Sequence, residues 1–322
     1  MRELLITTEN LFEIMHILQY NGSTETMLEN KESDSQLKIQ QNQNLRRSTI
    51  MDYTAHYEKS PRLWSQGLHA HDYYELYLHL NGGRYYCIDD TIFELKPNQL
   101  LIIPPLHMHG LVCDHDLVNY ERCYLYLSPE LLFQCGFGRF NLIQRIDEAY
   151  QNGNFIRLLS AEDALLYRNH LQKIEESCES PVASIQLDCY SMILKVLQIV
   201  EYSLEISSPS SPSNTSGNPM QEVLHYVNDH YTENLSVSSI SRYFHMSESF
   251  LSHSFKEYTN KGLYEYILYK RILKAKELMC MDISLTEIAF QCGFSDYSNF
   301  LRVFKKIAGE SPRSYRNHYF SH

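Results

Sequence analysis

The 322-residue chain reads as an α+β multidomain protein. An N-terminal β-barrel or sandwich is expected, then a helical segment, then an all-α C-terminal domain with two helix-turn-helix motifs. Three observations predict this. Short apolar segments alternate with turns between Trp64 and Leu127, a Ser/Pro/Asn/Gly stretch at 207–219 divides the chain, and one helix, turn and helix pattern occurs twice after it. A composition of 43% hydrophobic and 21% charged residues is that of a folded chain rather than a disordered one.

Residues 1–50 form an N-terminal extension to which no role is assigned. Glu3, Glu9, Asn10 and Glu13 interrupt its apolar residues, so no secretory core forms, and no later run reaches membrane-spanning length; a cytoplasmic protein is expected. A polar stretch from Asn21 to Arg47 separates a short amphipathic start from the strand-rich region. The eight cysteines contain no Cys-x-x-Cys pair, which argues against a disulfide framework or a zinc ribbon and for reduced packing residues.

Residues 51–135 carry the strand pattern, with turns at Asn81-Gly82-Gly83, Asp89-Asp90 and Lys96-Pro97-Asn98. Ser128-Pro129-Glu130 has the cap, early proline and early acid of a helix start, and helical signals continue to about Leu204, giving a helical segment over 136–206. Within it Ile185, Cys189, Met192, Ile193, Val196 and Val200 recur at three- and four-residue steps. That stripe fits packing on the chain's own barrel or dimerisation, and periodicity does not choose between them. Residues 207–219 cannot bury apolar surface and read as a flexible linker.

Net charge is −11, yet residues 221–322 hold 12 Lys and Arg against 11 Asp and Glu, so the excess acid lies upstream. A near-neutral domain can bind DNA if its basic residues share one face, since phosphate contacts are local. In the domain spanning 220–322, Leu235, Ile240, Met246 and Ser247 recur 48 residues later as Ile283, Ile288, Phe294 and Ser295. One inserted residue then shifts the offset for Leu251, Phe255 and Lys256. The two units cover about 236–258 and 284–307. In the second, Ser284-x-x-Glu287 starts a helix, Gly293 ends it, and Ser295 is expected to cap the next helix, which buries Phe300, Phe304 and Ile307. The opposite side presents Ser298, Asn299 and Arg302, placed for base edges in a major groove, with Lys305 and Lys306 placed for phosphates. Arg302 is the strongest candidate because one guanidinium can grip guanine through two hydrogen bonds. In the first copy Ser249, Ser252 and His253, with Lys256 behind, make a weaker reader. Between the units, Tyr264 to Met279 reads as an amphipathic spacer helix about 24 Å long at 1.5 Å per residue.

The stretch RILKAKELM and the long segment from Ser284 to Arg316 resemble the DNA-binding domain of the AraC/XylS family of transcription regulators. The resemblance includes Ile288-Ala289, Gly293-Phe294, Phe304-Lys305, Gly309, Ser311-Pro312 and Arg316. Asn260 departs from it, standing where the family usually has glycine, although asparagine also tolerates left-handed backbone. Upstream, His69-x-His71, Glu75, Gly82, Pro104 and His109 resemble the cupin pattern, which implies a jelly-roll barrel that senses a small molecule, often a sugar or related metabolite. Effector contacts are expected at His69, His71, Glu75, Tyr77 and His109. By strand parity three of these and His109 could also converge as a three-nitrogen, one-oxygen metal site. Hydrogen bonding is preferred here, so no metal and no cofactor is assigned. Parity does not decide between His107 and His109. The partners expected are double-stranded promoter DNA, a small-molecule effector, a second copy of the chain and RNA polymerase; no membrane is expected. The alternative reading is a metal-dependent cupin enzyme with a regulatory tail.

Overall fold

The computed structural model describes residues 52–62, 67–82, 85–112, 118–206 and 218–320. The N-terminal extension and most of the 207–219 linker lie outside the described residues. Seven of the eight cysteines are described, and all seven are free thiols.

Among the described residues, eight strands build two antiparallel sheets. They are β1 (Tyr53–Arg62), β2 (Tyr74–Asn81), β3 (Tyr85–Ile88), β4 (Thr91–Glu94), β5 (Gln99–Ile103), β6 (His109–Val112), β7 (Val118–Leu127) and β8 (Ile156–Leu158). The larger sheet runs β1-β7-β2-β5-β8 and the smaller β4-β3-β6. Alternation assigns the faces. Along β2, Tyr74, Leu76 and Leu78 enter one core with the helices that come after β7, while Tyr77 enters a second core between the sheets with Tyr86, Phe93, Leu101, Tyr120 and Phe155. These large side chains fill the interior, as in a small barrel.

Two strands correct the sequence reading. β1 precedes the Trp64 start and pairs along β7 from Tyr53 with Leu127 to Arg62 with Val118. β8 interrupts the supposedly helical 136–206 segment and extends the larger sheet beyond residue 135, pairing Gln99 with Leu158. Three residues are too few for alternation to register, and neighbouring helices on both sides hid them.

Helices α1 (Pro129–Gln134), α2 (Leu142–Gln151), α3 (Ala161–Ser177) and α4 (Ala183–Ile206) complete the first half. Cys189, Ile193, Val196 and Val200 of α4 are buried in the same core as Leu76 and Leu78, so this stripe packs on the chain's own sheet. α4 is also long and apolar enough to cross a membrane by length and composition alone, contrary to the expectation that no run reaches that length. Its other side leaves Leu187, Tyr190 and Tyr202 exposed.

In the second half the described elements are all helices: α5 (Pro219–His230), α6 (Val237–Tyr243), α7 (Glu248–Thr259), α8 (Leu263–Leu278), α9 (Leu285–Gln291), α10 (Tyr297–Ala308) and α11 (Pro312–Phe320). α6-α7 and α9-α10 are the two expected units, and α8 is the spacer. The second unit has its own core, made by Ile272, Ala275 and Leu278 of α8, Ile288 and Ala289 of α9, and Phe300, Val303 and Phe304 of α10. The first unit shares its core with the smaller sheet. Leu68, Cys87, Ile92, Met108 and Val112 cluster with Val223, Leu224, Leu251, Phe255 and Ile267.

Candidate functional site

Each repeat is punctuated by the same backbone devices. In the second, the Ser284 hydroxyl accepts the Glu287 amide at the start of α9, and the helix stops at Gly293 with φ +85°. In the first, His245 stands at the matching place, also left-handed at φ 54°. The later stops match as well: Asn260 closes α7 at φ 54° and Gly309 closes α10 at φ 81°. Asparagine thus serves where the resemblance leads one to expect glycine. One cap differs from expectation. Asp296, not Ser295, caps α10, its carboxylate accepting the Ser298 and Asn299 amides at 3.2 and 2.7 Å. A carboxylate also complements the positive end of the helix dipole.

These caps fix which side of each helix faces out. On α10, Phe300, Val303 and Phe304 are buried, whereas Ser298, Arg302, Lys305 and Lys306 are exposed and Asn299 is half-buried. The Arg302 guanidinium donates to Asn299 Oδ1 at 2.8 Å, which orients it along the exposed face. On α7, Ser249, Ser252, His253 and Lys256 are exposed; Ser249, His253 and Lys256 stand at the places of Ser298, Arg302 and Lys305, and Ser252 at that of Leu301. His253 matches Arg302 but is held by Glu257 at 3.2 Å, so its reach is partly spent inside its own helix. Phe250, which the sequence reading passed over, is 55% exposed at the place of Asn299. An outward phenylalanine offers apolar contact to a thymine methyl.

The four upstream residues also meet. The possible ligand atoms of His69, His71, Glu75 and His109 all lie within 4.8 Å of one another. His69 and His71 are half-buried, and Glu75 and His109 are buried. Each imidazole has its Nδ1 on a main-chain carbonyl: His69 on Gly67 at 3.1 Å, His71 on Tyr73 at 3.0 Å and His109 on His107 at 2.8 Å. Carbonyls only accept, so each of these Nδ1 atoms carries a proton. Glu75 Oε2 sits 3.0 Å from His71 Nε2 and 2.8 Å from His109 Nε2, and the latter, though buried, has no partner in hydrogen-bonding geometry. Loss of solvent, reinforced by the neighbouring His109 and His71, pushes His69 down to about 3. Burial alone would raise the Glu75 carboxyl, but His109 and His71 hold it well below the ordinary carboxylate value. Three imidazoles and one carboxylate thus converge, residue types able to hold a divalent transition metal.

Tyr77, the fifth residue expected here, lies deeper, its hydroxyl bonded to that of Tyr120 and its ring 5.2 Å from Tyr86. His107 is outside the cluster. Its Nδ1 donates instead to Asp89 at 2.6 Å.

Residues missed from sequence join this region to the helical half. The Leu68 amide donates to the Thr259 carbonyl at 3.1 Å, the Tyr269 hydroxyl donates to the Ala70 carbonyl at 2.9 Å, and Asp72 accepts from Lys276 and from the Tyr315 hydroxyl. Asp89, on the β3–β4 turn, accepts from Tyr150 and lies 3.8 Å from Lys270 of α8. No local pattern marks contacts that span about two hundred residues of sequence.

Burial alone would raise Asp89, but the His107 hydrogen bond and the Lys270 charge outweigh it and bring the carboxyl from 3.8 to about 2. Its stabilisation is therefore present above pH 4 and is lost as pH falls toward 2; a shift of this size is on the order of 2 kcal/mol. Asp89→Asn, which keeps the shape and the left-handed turn, should lower the melting temperature at pH 6, with the gap to wild type closing between about pH 4 and pH 2. Equal melting temperatures at pH 6 would show that the contact contributes nothing.

Comparisons with known proteins respect the same division. The profile of an AraC-like ligand binding domain matches residues 53–159, and that of a helix-turn-helix domain matches residues 240–318. The first runs through β8, in keeping with the sheet. An uncharacterized HTH-type transcriptional regulator of Bacillus subtilis, YfiF, is 25% identical over 260 residues, covering 78% of this chain and 79% of the relative. An uncharacterized HTH-type transcriptional regulator of Staphylococcus aureus is 32% identical over 126 residues, 39% of this chain but 17% of the relative's length. Among solved structures, an apo ToxT variant from Vibrio cholerae matches 84% of this chain and 98% of its own at 14% identity, with a TM-score of 0.35.

Proposed function

The chain belongs to the AraC family of helix-turn-helix transcription regulators, and from that premise we propose that it binds promoter DNA with both α7 and α10 and is controlled by a small molecule held in its sheet domain. The observation that carries this reading is the duplicated unit with two exposed polar helix faces, joined by a 16-residue spacer helix about 24 Å long. Such a spacer suits helices entering successive major grooves, about 34 Å apart. Arg302 reads a base edge, Ser298 and Asn299 support it, and Lys305 and Lys306 contact phosphates. Ser249, Ser252 and His253 dock the other helix with Lys256 behind them. Nothing in the matched families supports the metal-dependent enzyme alternative, and no catalytic role is assigned to any residue.

The effector is a polar molecule, of which a carbohydrate is the foremost candidate. It approaches at half-buried His69 and His71, with Glu75, His109 and Tyr77 behind them. A second copy of the chain is a further partner of the regulator. The regulator acts in the cytoplasm, and RNA polymerase is a further partner of the DNA-bound form.

The test uses the full-length protein. Titration against labelled fragments of its own genome should find at least one bound tightly, with log affinity falling linearly in log salt. Lys305→Ala and Lys306→Ala should each lower that slope by about 1 across sequences. Sedimentation of the same samples reads the dimer. Absence of salt-sensitive binding to any fragment defeats the reading.

A further inference from the structure

The two exposed helix faces share a ground plan and differ in chemistry. Phe250, His253, Lys256 and Glu257 of α7 stand where α10 has Asn299, Arg302, Lys305 and Lys306. The outward side of α10 thus presents three cations. That of α7 presents Lys256, beside an imidazole and a carboxylate 3.2 Å apart. In exchange α7 carries a bare ring. Leu251, Phe255 and Tyr258 make its buried side, whereas Phe250 is 55% exposed. The Ser247 hydroxyl accepts the Phe250 amide at 3.2 Å, which sets the residue in the first turn of the helix, the part that meets base edges when a recognition helix docks. Elsewhere on a surface a single exposed apolar side chain needs no explanation. This one occupies the place of a base reader.

We propose that Phe250 reads a thymine methyl, so that the operator has two unlike halves: one specified by a methyl group under α7, the other by guanine under Arg302 of α10. The proposal rests on the regulator reading and goes beyond it by fixing which half of the site each helix takes. Among the base edges of the major groove, the C5-methyl of thymine is the apolar group. A phenyl ring laid over it removes apolar surface of both partners from water. Over a G·C pair the same ring covers guanine O6 and N7 or the cytosine amino group and returns no hydrogen bond, which costs free energy. The ring therefore selects twice, by gain at the methyl and by loss at the alternatives. Charge divides along the same line. With three exposed cations against one, α10 carries most of the salt dependence and α7 the methyl preference.

The test replaces each thymine of the tightest-bound genomic fragment, one at a time, by deoxyuridine, which lacks only the methyl. Affinity of the full-length protein is read at one fixed salt concentration. At one position the change should weaken wild type by about four-fold, the worth of one buried methyl, and leave Phe250→Ala unaffected. Phe250→Leu, which keeps an apolar side chain there, should retain most of the sensitivity, and circular dichroism checks that both variants fold. Cytosine at that position should bind worse still, and 5-methylcytosine should recover about four-fold in wild type but not in Phe250→Ala. The sensitive thymine should lie about 10 base pairs, one turn, from the pair whose preference Arg302→Ala relaxes. Deoxyuridine without effect at every position overturns the proposal while the regulator reading stands. So does equal sensitivity in wild type and Phe250→Ala, or a sensitive thymine next to the Arg302 position. If wild type binds no fragment, the regulator reading itself has failed and the methyl contact falls with it.

Discussion

Replacing Gly293 by alanine should destabilise the second helix-turn-helix unit by more than about 3 kcal/mol and abolish specific DNA binding with it. Two effects add. The residue sits at φ +85°, where an L side chain costs about 1–2 kcal/mol. Its added Cβ would lie 2.4 Å from the Thr232 carbonyl oxygen, and a main-chain atom cannot swing aside as a flexible side chain would. The chain there is already tied down, because Arg271 donates to the Tyr231 carbonyl at 2.7 Å and to the Glu233 carbonyl at 2.7 Å. Relief must therefore come from displacing α9 or the 231–233 turn, which opens the core around Ile288, Phe294 and Phe300. Thermal unfolding tracked by circular dichroism is the direct measurement. A variant within 1 kcal/mol of wild type would mean that the turn gives way freely. His245 makes the contrasting case: it occupies the equivalent left-handed stop without glycine, so conformation alone does not demand glycine and the close approach to Thr232 does.

Arg302→Ala should weaken binding to the specific site by about 1–3 kcal/mol, roughly five- to 150-fold, and relax preference at one base pair. The side chain is exposed, and its one described hydrogen bond within the protein is with Asn299 on the same helix, so its removal should leave the fold intact. That separates it from the glycine variant, whose loss of binding comes from loss of structure. Asn299→Ala should show a smaller effect of the same kind, because its Oδ1 accepts from and orients the Arg302 guanidinium. His253→Ala should do less still, since Glu257 already holds that ring. A base-substitution series at the operator, measured at one fixed salt concentration, reads all three variants. If the preference pattern of Arg302→Ala superimposes on that of the wild type, the base contact lies elsewhere on α10.

Legibility in the sequence tracked the range of the interactions. The duplicated unit could be read because caps, stops and apolar stripes are local, and Ser284, Gly293, Phe300 and Phe304 announce them within a few residues. Even there the cap of α10 was misplaced by one, since Ser295 and Asp296 are both capping residues and only geometry picks the carboxylate. β8 was hidden because its pairing partner β5 lies more than fifty residues upstream. The stripe on α4 was visible, but its partner was not: a helix periodic in apolar residues states that it buries one side and not against what.

What residue types and their spacing determined by themselves is the order of the modules, the two polar helix faces, and the parity that puts His69, His71 and Glu75 on one side. Only the tertiary structure decided that His109 rather than His107 completes that cluster, that the Nδ1 protons are committed to carbonyls, and that Leu68, Ala70 and Asp72 turn the same segment against α7, α8 and α11. Periodicity is a property of neighbouring residues and survives in the unfolded chain. The meeting of Asp72 with Lys276 and Tyr315 exists only once a sheet and a helical bundle have packed, because no short-range preference links groups some two hundred residues apart.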